Sequence, residues 1–207
     1  LTGENVLTSG GSKAALNVPA NATLIIMEGS SGSLVANGGY KGAGIGGDNN
    51  QSAGVITING GTIIATGGGY GGAGIGSGFN QGGQPKGGDI TINRGMVTAK
   101  VSDSRAAGIG GGAACSGKTI TITGGTVIAD GIGSGTWSYD QKFDSGTILI
   151  SGGTVTTSFI GGQNSTDFST GDTGCAVILA NKFKNISDSD RSAWKGVVFE
   201  NTSGKVY

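Results

Sequence analysis

Residues 56–77 read ITINGGTIIATGGGYGGAGIGS, and three short blocks inside them decide the fold. The first is an alternating aliphatic pair, Ile56-Thr57-Ile58. A glycine corner, Asn59-Gly60-Gly61, leads to the second, Thr62-Ile63-Ile64-Ala65. The third is the compact block Gly72-Ala73-Gly74-Ile75-Gly76-Ser77. The same order returns along the chain. Ile90-Thr91-Ile92, Ile120-Thr121-Ile122 and Ile148-Leu149-Ile150 repeat the first block, and Met96-Val97-Thr98-Ala99, Thr126-Val127-Ile128-Ala129 and Thr154-Val155-Thr156-Thr157 repeat the second. Ile45, Ile109, Ile132 and Ile160 each sit in a glycine block of the third kind. Successive units lie roughly 28–34 residues apart, a spacing that marks a stacked repeat. Leu24-Ile25-Ile26-Met27 with Leu34-Val35-Ala36 opens the series as a degenerate unit, and Val177-Ile178-Leu179 begins a last one, about six in all.

Each block is a strand of three to five residues whose alternation points every second side chain inward. One unit cannot bury its own aliphatic face. Stacking units about 4.8 Å apart places Ile on Ile and Val on Val, and each fully buried side chain contributes roughly 1.5–3 kcal/mol. The corners Asn59-Gly60-Gly61, Gly124-Gly125 and Gly152-Gly153 supply the positive-φ turns that such a coil needs. The GAGIG wall, almost free of outward side chains, is expected to be narrow and smooth. The fold predicted is all-β, a single-stranded right-handed parallel β-helix of about six coils with atypical ends. Its cap is expected over 1–19, its coils over 20–180 and a second cap over 181–207, with Trp194 and Val197-Val198-Phe199 as a hydrophobic lid. A β-meander is the rival, because Asn59-Gly60 is a hairpin signal, but the equivalent corners read Asn93-Arg94, Thr123-Gly124 and Ser151-Gly152.

Composition narrows the function. Glycine takes 46 of 207 residues, against roughly 7% in an ordinary chain, while two prolines exclude a collagen. Thirteen basic and 13 acidic residues leave a net charge of zero. That argues against a nucleic-acid partner, which requires surplus Lys and Arg, and no apolar run approaches the ~20 residues of a membrane helix. No signal peptide opens the chain, which reads as a mature or excised segment.

The GAGIGG blocks, spaced by stretches such as Thr119-Ile120-Thr121-Ile122-Thr123-Gly124-Gly125-Thr126-Val127, resemble the Gly-rich β-helical domains of secreted or surface-anchored proteins of anaerobic, often gut-dwelling, Gram-positive bacteria. The opening Leu1-Thr2-Gly3-Glu4-Asn5 and the closing Trp194-Lys195-Gly196-Val197-Val198-Phe199 fit those modules. A looser similarity links the chain to carbohydrate-binding β-helix proteins on the polysaccharide-lyase scaffold. The resemblance implies an extracellular, cell-surface location, a polysaccharide or host glycan as partner, and further domains in a larger surface protein. It carries no functional residue onto this sequence.

With no histidine, Ser-His-Asp and Cys-His nucleophile systems and His-ligated zinc are excluded. The carboxylates Asp48, Asp89, Asp103, Asp130, Asp140, Asp144, Asp167 and Asp172 are scattered over different units. Asp140 and Asp144 make the nearest approach to a glycosidase pair and are expected as solvated surface. Calcium binding of the GGxGxD type fails because Gly46, Gly76 and Gly110 occupy the place of the ligand carboxylate, and Asp48-Asn49-Asn50-Gln51 reads as a polar corner. Neither cofactor nor metal is expected, and Cys115 and Cys175 read as unpaired thiols. A non-catalytic module that binds carbohydrate or supports adhesion is therefore predicted, with a rigid spacer as the second reading and a polysaccharide-active enzyme of the lyase scaffold as the third.

The aromatic residues carry the functional expectation. Tyr40 and Tyr70 each precede the isoleucine of a glycine block by five residues, so they should stack on neighbouring coils. Phe79, Trp137 and Tyr139 follow such blocks, with Asp140, Asn80 and Gln81 beside them. Flat rings with amide and carboxylate neighbours are the ingredients of a sugar site. The expected ligand-binding set is thus Tyr40, Tyr70, Phe79, Trp137, Tyr139 and Asp140. The competing expectation is that the rings merely cover loop backbone.

Overall fold

The computed structural model describes residues 1–80, 85–137 and 143–162, together with the backbone of the strands Ala176–Leu179 and Val197–Val198. Every named strand pairs in parallel, and among the described residues there is no helix. Three sheets run along the molecule. The first holds β1 (Glu4–Thr8), β4 (Ser33–Asn37), β7 (Thr62–Gly67), β10 (Met96–Val101), β13 (Thr126–Ala129) and β16 (Thr154–Thr157). The second holds the short strands β2 (Leu16–Asn17), β5 (Ile45–Gly46), β8 (Ile75–Gly76), β11 (Ile109–Gly110), β14 (Ile132–Ser134) and β17 (Ile160–Gly162). The third holds β3 (Thr23–Ile26), β6 (Val55–Ile58), β9 (Asp89–Ile92), β12 (Thr119–Ile122), β15 (Thr147–Ile150), β18 (Ala176–Leu179) and β19 (Val197–Val198). The chain visits the sheets in rotation, so each circuit is one coil of a parallel β-helix.

The register places like on like. Ile56, Ile90, Ile120 and Ile148 pair in succession, as do Ile58, Ile92, Ile122 and Ile150. Leu34, Ile63, Val97, Val127 and Val155 form the column of the first sheet, and Leu16, Ile45, Ile75, Ile109, Ile132 and Ile160 that of the second. These side chains make one continuous core, nearly all of it inaccessible to solvent. The consecutive strands β6 and β7 pair with strands of other coils and not with each other, which removes the hairpin at Asn59-Gly60.

Two glycine positions make the coil possible. At the corner between the third and first sheets, Gly61, Gly95, Gly125 and Gly153 have φ of +77°, +91°, +81° and +82°, the left-handed region open to glycine. A polar ladder runs up the same corner: Asn93 Nδ2 donates to Asn59 Oδ1 at 2.8 Å, and Thr123 Oγ1 donates to Asn93 Oδ1 at 2.6 Å. In the second sheet, Gly46, Gly76, Gly110 and Gly133 have φ of +135°, +146°, +126° and +133°. A Cβ there would lie 1.8–2.0 Å from the carbonyl oxygen of the glycine one coil further on. The "Ile-Gly" of each block is therefore a steric requirement of stacking.

The glycine blocks 42–47, 72–77 and 107–111 are buried along their whole length. Ala43, Ala73 and Ala107 are fully buried although they lie outside the inner core cluster. The loops after each short strand fold back: the N–H groups of Ala43, Ala73 and Ala107 donate to the carbonyls of Gly47, Ser77 and Gly111. A wall without side chains lets loop backbone approach closely, so it is covered. Residues 1–19 carry β1 and β2, which pair with β4 and β5 as a terminal coil. At the other end, Val197–Val198 pairs with β18; Trp194 and Phe199 lie outside the described residues.

Candidate functional site

Four of the sequence-selected rings meet on the flank beside the second sheet. Tyr40 and Tyr70 occupy equivalent turns leading into β5 and β8, and the Tyr70 N–H donates to the Tyr40 carbonyl at 2.7 Å. Their ring centroids are 5.1 Å apart, inclined by 31°. Phe79 comes from the loop after β8. That loop is tied to the coil below: the Phe79 N–H donates to the Lys41 carbonyl at 2.9 Å, and the Asn50 N–H donates to the Phe79 carbonyl at 2.8 Å. The Phe79 ring then meets Tyr70 edge-on at 5.3 Å. Trp137 follows β14 and reaches back to within 5.0 Å of Phe79 and 6.0 Å of Tyr70. Its position is prepared by Thr136, whose N–H donates to the Arg105 carbonyl at 2.7 Å. The cluster thus spans four successive coils.

Exposure divides the rings into two roles. Tyr40 is 55% exposed, and Tyr70 and Trp137 are half-buried. Phe79 is only 1% exposed. Its ring is the buried floor against which Tyr70 and Trp137 pack. Tyr139 and Asp140 lie outside the described residues.

Two cations complete the cluster. The Lys41 ammonium lies 5.2 Å from the Tyr70 and Phe79 ring centroids and 5.9 Å from that of Tyr40. The Arg105 guanidinium carbon lies 4.4 Å from the Trp137 ring and 5.0 Å from Tyr70. Cations attract the negative face of an aromatic ring, more strongly as water is excluded. Asp103 holds Arg105 in place, accepting from Arg105 Nε at 2.9 and 3.1 Å, from its terminal nitrogen, and from its backbone N–H at 3.0 Å. The hydrogen bond from Arg105 keeps the Asp103 carboxyl below the usual carboxylate range, outweighing burial, and the same bond raises the Arg105 value. Both groups are therefore charged at neutral pH.

The sequence reading named the rings but missed these cations. Asp103 stands two residues before Arg105. An Asp-x-Arg spacing inside a turn is the available signal. Lys41 adjoins Tyr40 in sequence, which is a weaker one.

Several other charged side chains have structural partners. Asp48 is buried and accepts from Ala14 N–H at 2.7 Å and from Lys13 Nζ at 2.9 Å, which accounts for the polar corner. Asp144 accepts from Gly146 N–H at 2.8 Å in its own turn. Lys118 pairs with Asp89, and Arg94 with Glu28. Among the described residues, no three His, Cys, Asp or Glu side chains converge. Cys115 is a buried free thiol donating to the Gly78 carbonyl at 3.2 Å, and burial pushes its pKa up to about 12. Cys175 lies outside the described residues. No helix among those residues is long and apolar enough to cross a membrane.

A family model described as a beta helix repeat matches residues 56–79 and 90–113. The first match runs from β6 through β8 and includes Tyr70 and Phe79, and the second runs from β9 through β11 and includes Asp103 and Arg105. Tyr40 and Trp137 fall outside both. No curated protein and no solved structure matches the chain. The repeat match and the parallel coil agree on a β-helix domain.

Proposed function

We propose that this β-helix is a non-catalytic carbohydrate-binding or adhesion module, with the Tyr40–Tyr70–Trp137 platform as its glycan contact. The observation that supports it is the gathering of four rings from three coils into one cluster, with Tyr40 open to solvent and Tyr70 and Trp137 half-open. Sugar C–H faces pack on such rings, while hydroxyl groups meet polar side chains at the rim. A buried Phe79 beneath them holds the rings in position before any ligand arrives, which lowers the ordering cost of binding. The resemblance of the glycine blocks to bacterial surface domains supports an extracellular setting, with this module carried among further domains.

A glycan array followed by calorimetry tests the reading. Binding to at least one plant, mucin or microbial polysaccharide is expected, reduced roughly tenfold by Trp137→Ala, equivalent to about 1.4 kcal/mol. Absence of binding to any glycan, with Trp137→Ala silent, removes the proposal. It would leave the second reading, a rigid spacer, which the unbroken aliphatic core favours. Release of reducing or unsaturated ends from a bound polymer would instead identify an enzyme.

A further inference from the structure

We infer that the platform selects glycans bearing carboxylate groups, and that Lys41 is the residue that meets the carboxylate. This deepens the glycan reading and rests on it. The two cations at the rings are not equivalent. Arg105 is bound through a fork to Asp103, so its charge is compensated within the turn. Lys41 takes part in none of the ion pairs of the described residues, which join Lys13 to Asp48, Arg94 to Glu28, Arg105 to Asp103 and Lys118 to Asp89. The residue is half-buried, and its ammonium lies 5.2–5.9 Å from the centroids of three rings. Ring faces attract the cation but do not neutralise it.

Among the described residues the cluster therefore presents one positive charge without a carboxylate partner, at the edge of its two tyrosines. A neutral sugar packed on Tyr40 and Tyr70 leaves that charge without a partner. A sugar acid in the same place stacks its ring and brings an anion within reach of Lys41 Nζ. The charge-assisted contact is made beside apolar rings, where water screens it less than on an open surface. A lysine suits this task because its ammonium is a single compact charge on a flexible stem and adapts to the position of the carboxylate.

The test compares hyaluronan, polygalacturonate and polysialic acid with their carboxyl-reduced forms, with heparin as the sulfated probe and mannan and amylose as neutral ones. Titrations use the full chain and the variants Lys41→Gln and Lys41→Arg. The expected result is binding of at least one acidic polymer, weakened about tenfold or more by carboxyl reduction and by Lys41→Gln, largely retained in Lys41→Arg, and falling as salt rises from about 50 to about 500 mM. A silent Lys41→Gln with equal binding of the acidic and reduced forms overturns the carboxylate assignment and leaves the glycan reading standing. So does binding confined to heparin, or to neutral polymers. No binding to any probe, repeated across the wider array, overturns both. A thermal midpoint for each variant within a few degrees of the parent keeps misfolding out of the comparison.

Discussion

Of the three connections around each coil, two obey opposite rules. From the third sheet to the first, residues 59–61, 93–95, 123–125 and 151–153 form near-identical corners, each ending on a positive-φ glycine. From the second sheet to the third, the connections run over 47–54, 77–88, 111–118 and 135–146, and their lengths and sequences differ. The short corner repeats one turn in every coil, and a Cβ on Gly95, Gly125 or Gly153 would lie 2.6–2.7 Å from the carbonyl oxygen of the neighbouring corner, so it tolerates little. The long connection varies from coil to coil, and it is there that Phe79 and Trp137 are carried to meet Tyr40, Tyr70 and the cations, which stand on the third connection, from the first sheet to the second. Uniformity holds the coil together, and freedom from it builds the candidate site.

Substitutions separate these regions by size of effect. The largest is expected in the stack at Gly76→Ala, whose Cβ would sit 1.8 Å from the Gly110 carbonyl oxygen at φ +146°. A loss of about 4 kcal/mol or more by denaturant unfolding is expected. Gly69→Ala, in the turn of the same coil with nothing within 4 Å of its Cβ, should stay within about 0.5 kcal/mol. Similar losses for the two would break the contrast. Next comes Ile120→Ala in a continuous core column, expected to cost about 3–4 kcal/mol, against less than about 1 kcal/mol for the outward Thr121→Ala.

On the flank the balance reverses. Tyr40→Ala should leave unfolding within about 0.5 kcal/mol of the parent while lowering glycan affinity several-fold. A variant that unfolds the protein and leaves binding intact would place Tyr40 with the stack. The smallest effects are in pH dependence, and they carry opposite signs. Cys115 has its folded value raised from 9.0 to about 12 by burial, so its contribution is complete below pH 9 and declines as pH climbs toward 12. Asp103 has its value lowered from 3.8 by Arg105, so its contribution is present above pH 3.8 and fades as pH falls through the folded value. Cys115→Ser should alter only the alkaline limb of a stability–pH curve and Asp103→Asn chiefly the acid limb.

The coil was legible because its information is periodic. Ile56, Ile90, Ile120 and Ile148 announce a column by recurring in the same setting, and a column of identical aliphatic groups has one low-energy use. Tyr40 and Tyr70 were legible as neighbours for the same reason, since both stand five residues before a block isoleucine. Phe79 and Trp137 follow their blocks in loops of no common pattern. That Phe79 would be the buried floor and Trp137 an upper wall depends on how far each loop folds back, and no spacing encodes it. The burial of the GAGIG wall is not legible in the blocks themselves either, because it depends on loop backbone packing closely where side chains are absent.

Sequence alone thus determined the parallel stacking, the identity of the core columns and the positive-φ corners, because local turn chemistry and repeated burial demand the same answer in every unit. Tertiary structure decided which rings share a surface, that Arg105 is paired with Asp103 while Lys41 has no ion pair among the described residues, and which aromatic is hidden. Those outcomes arise where non-equivalent loops from four coils converge, and contacts between non-equivalent segments have no period to reveal them.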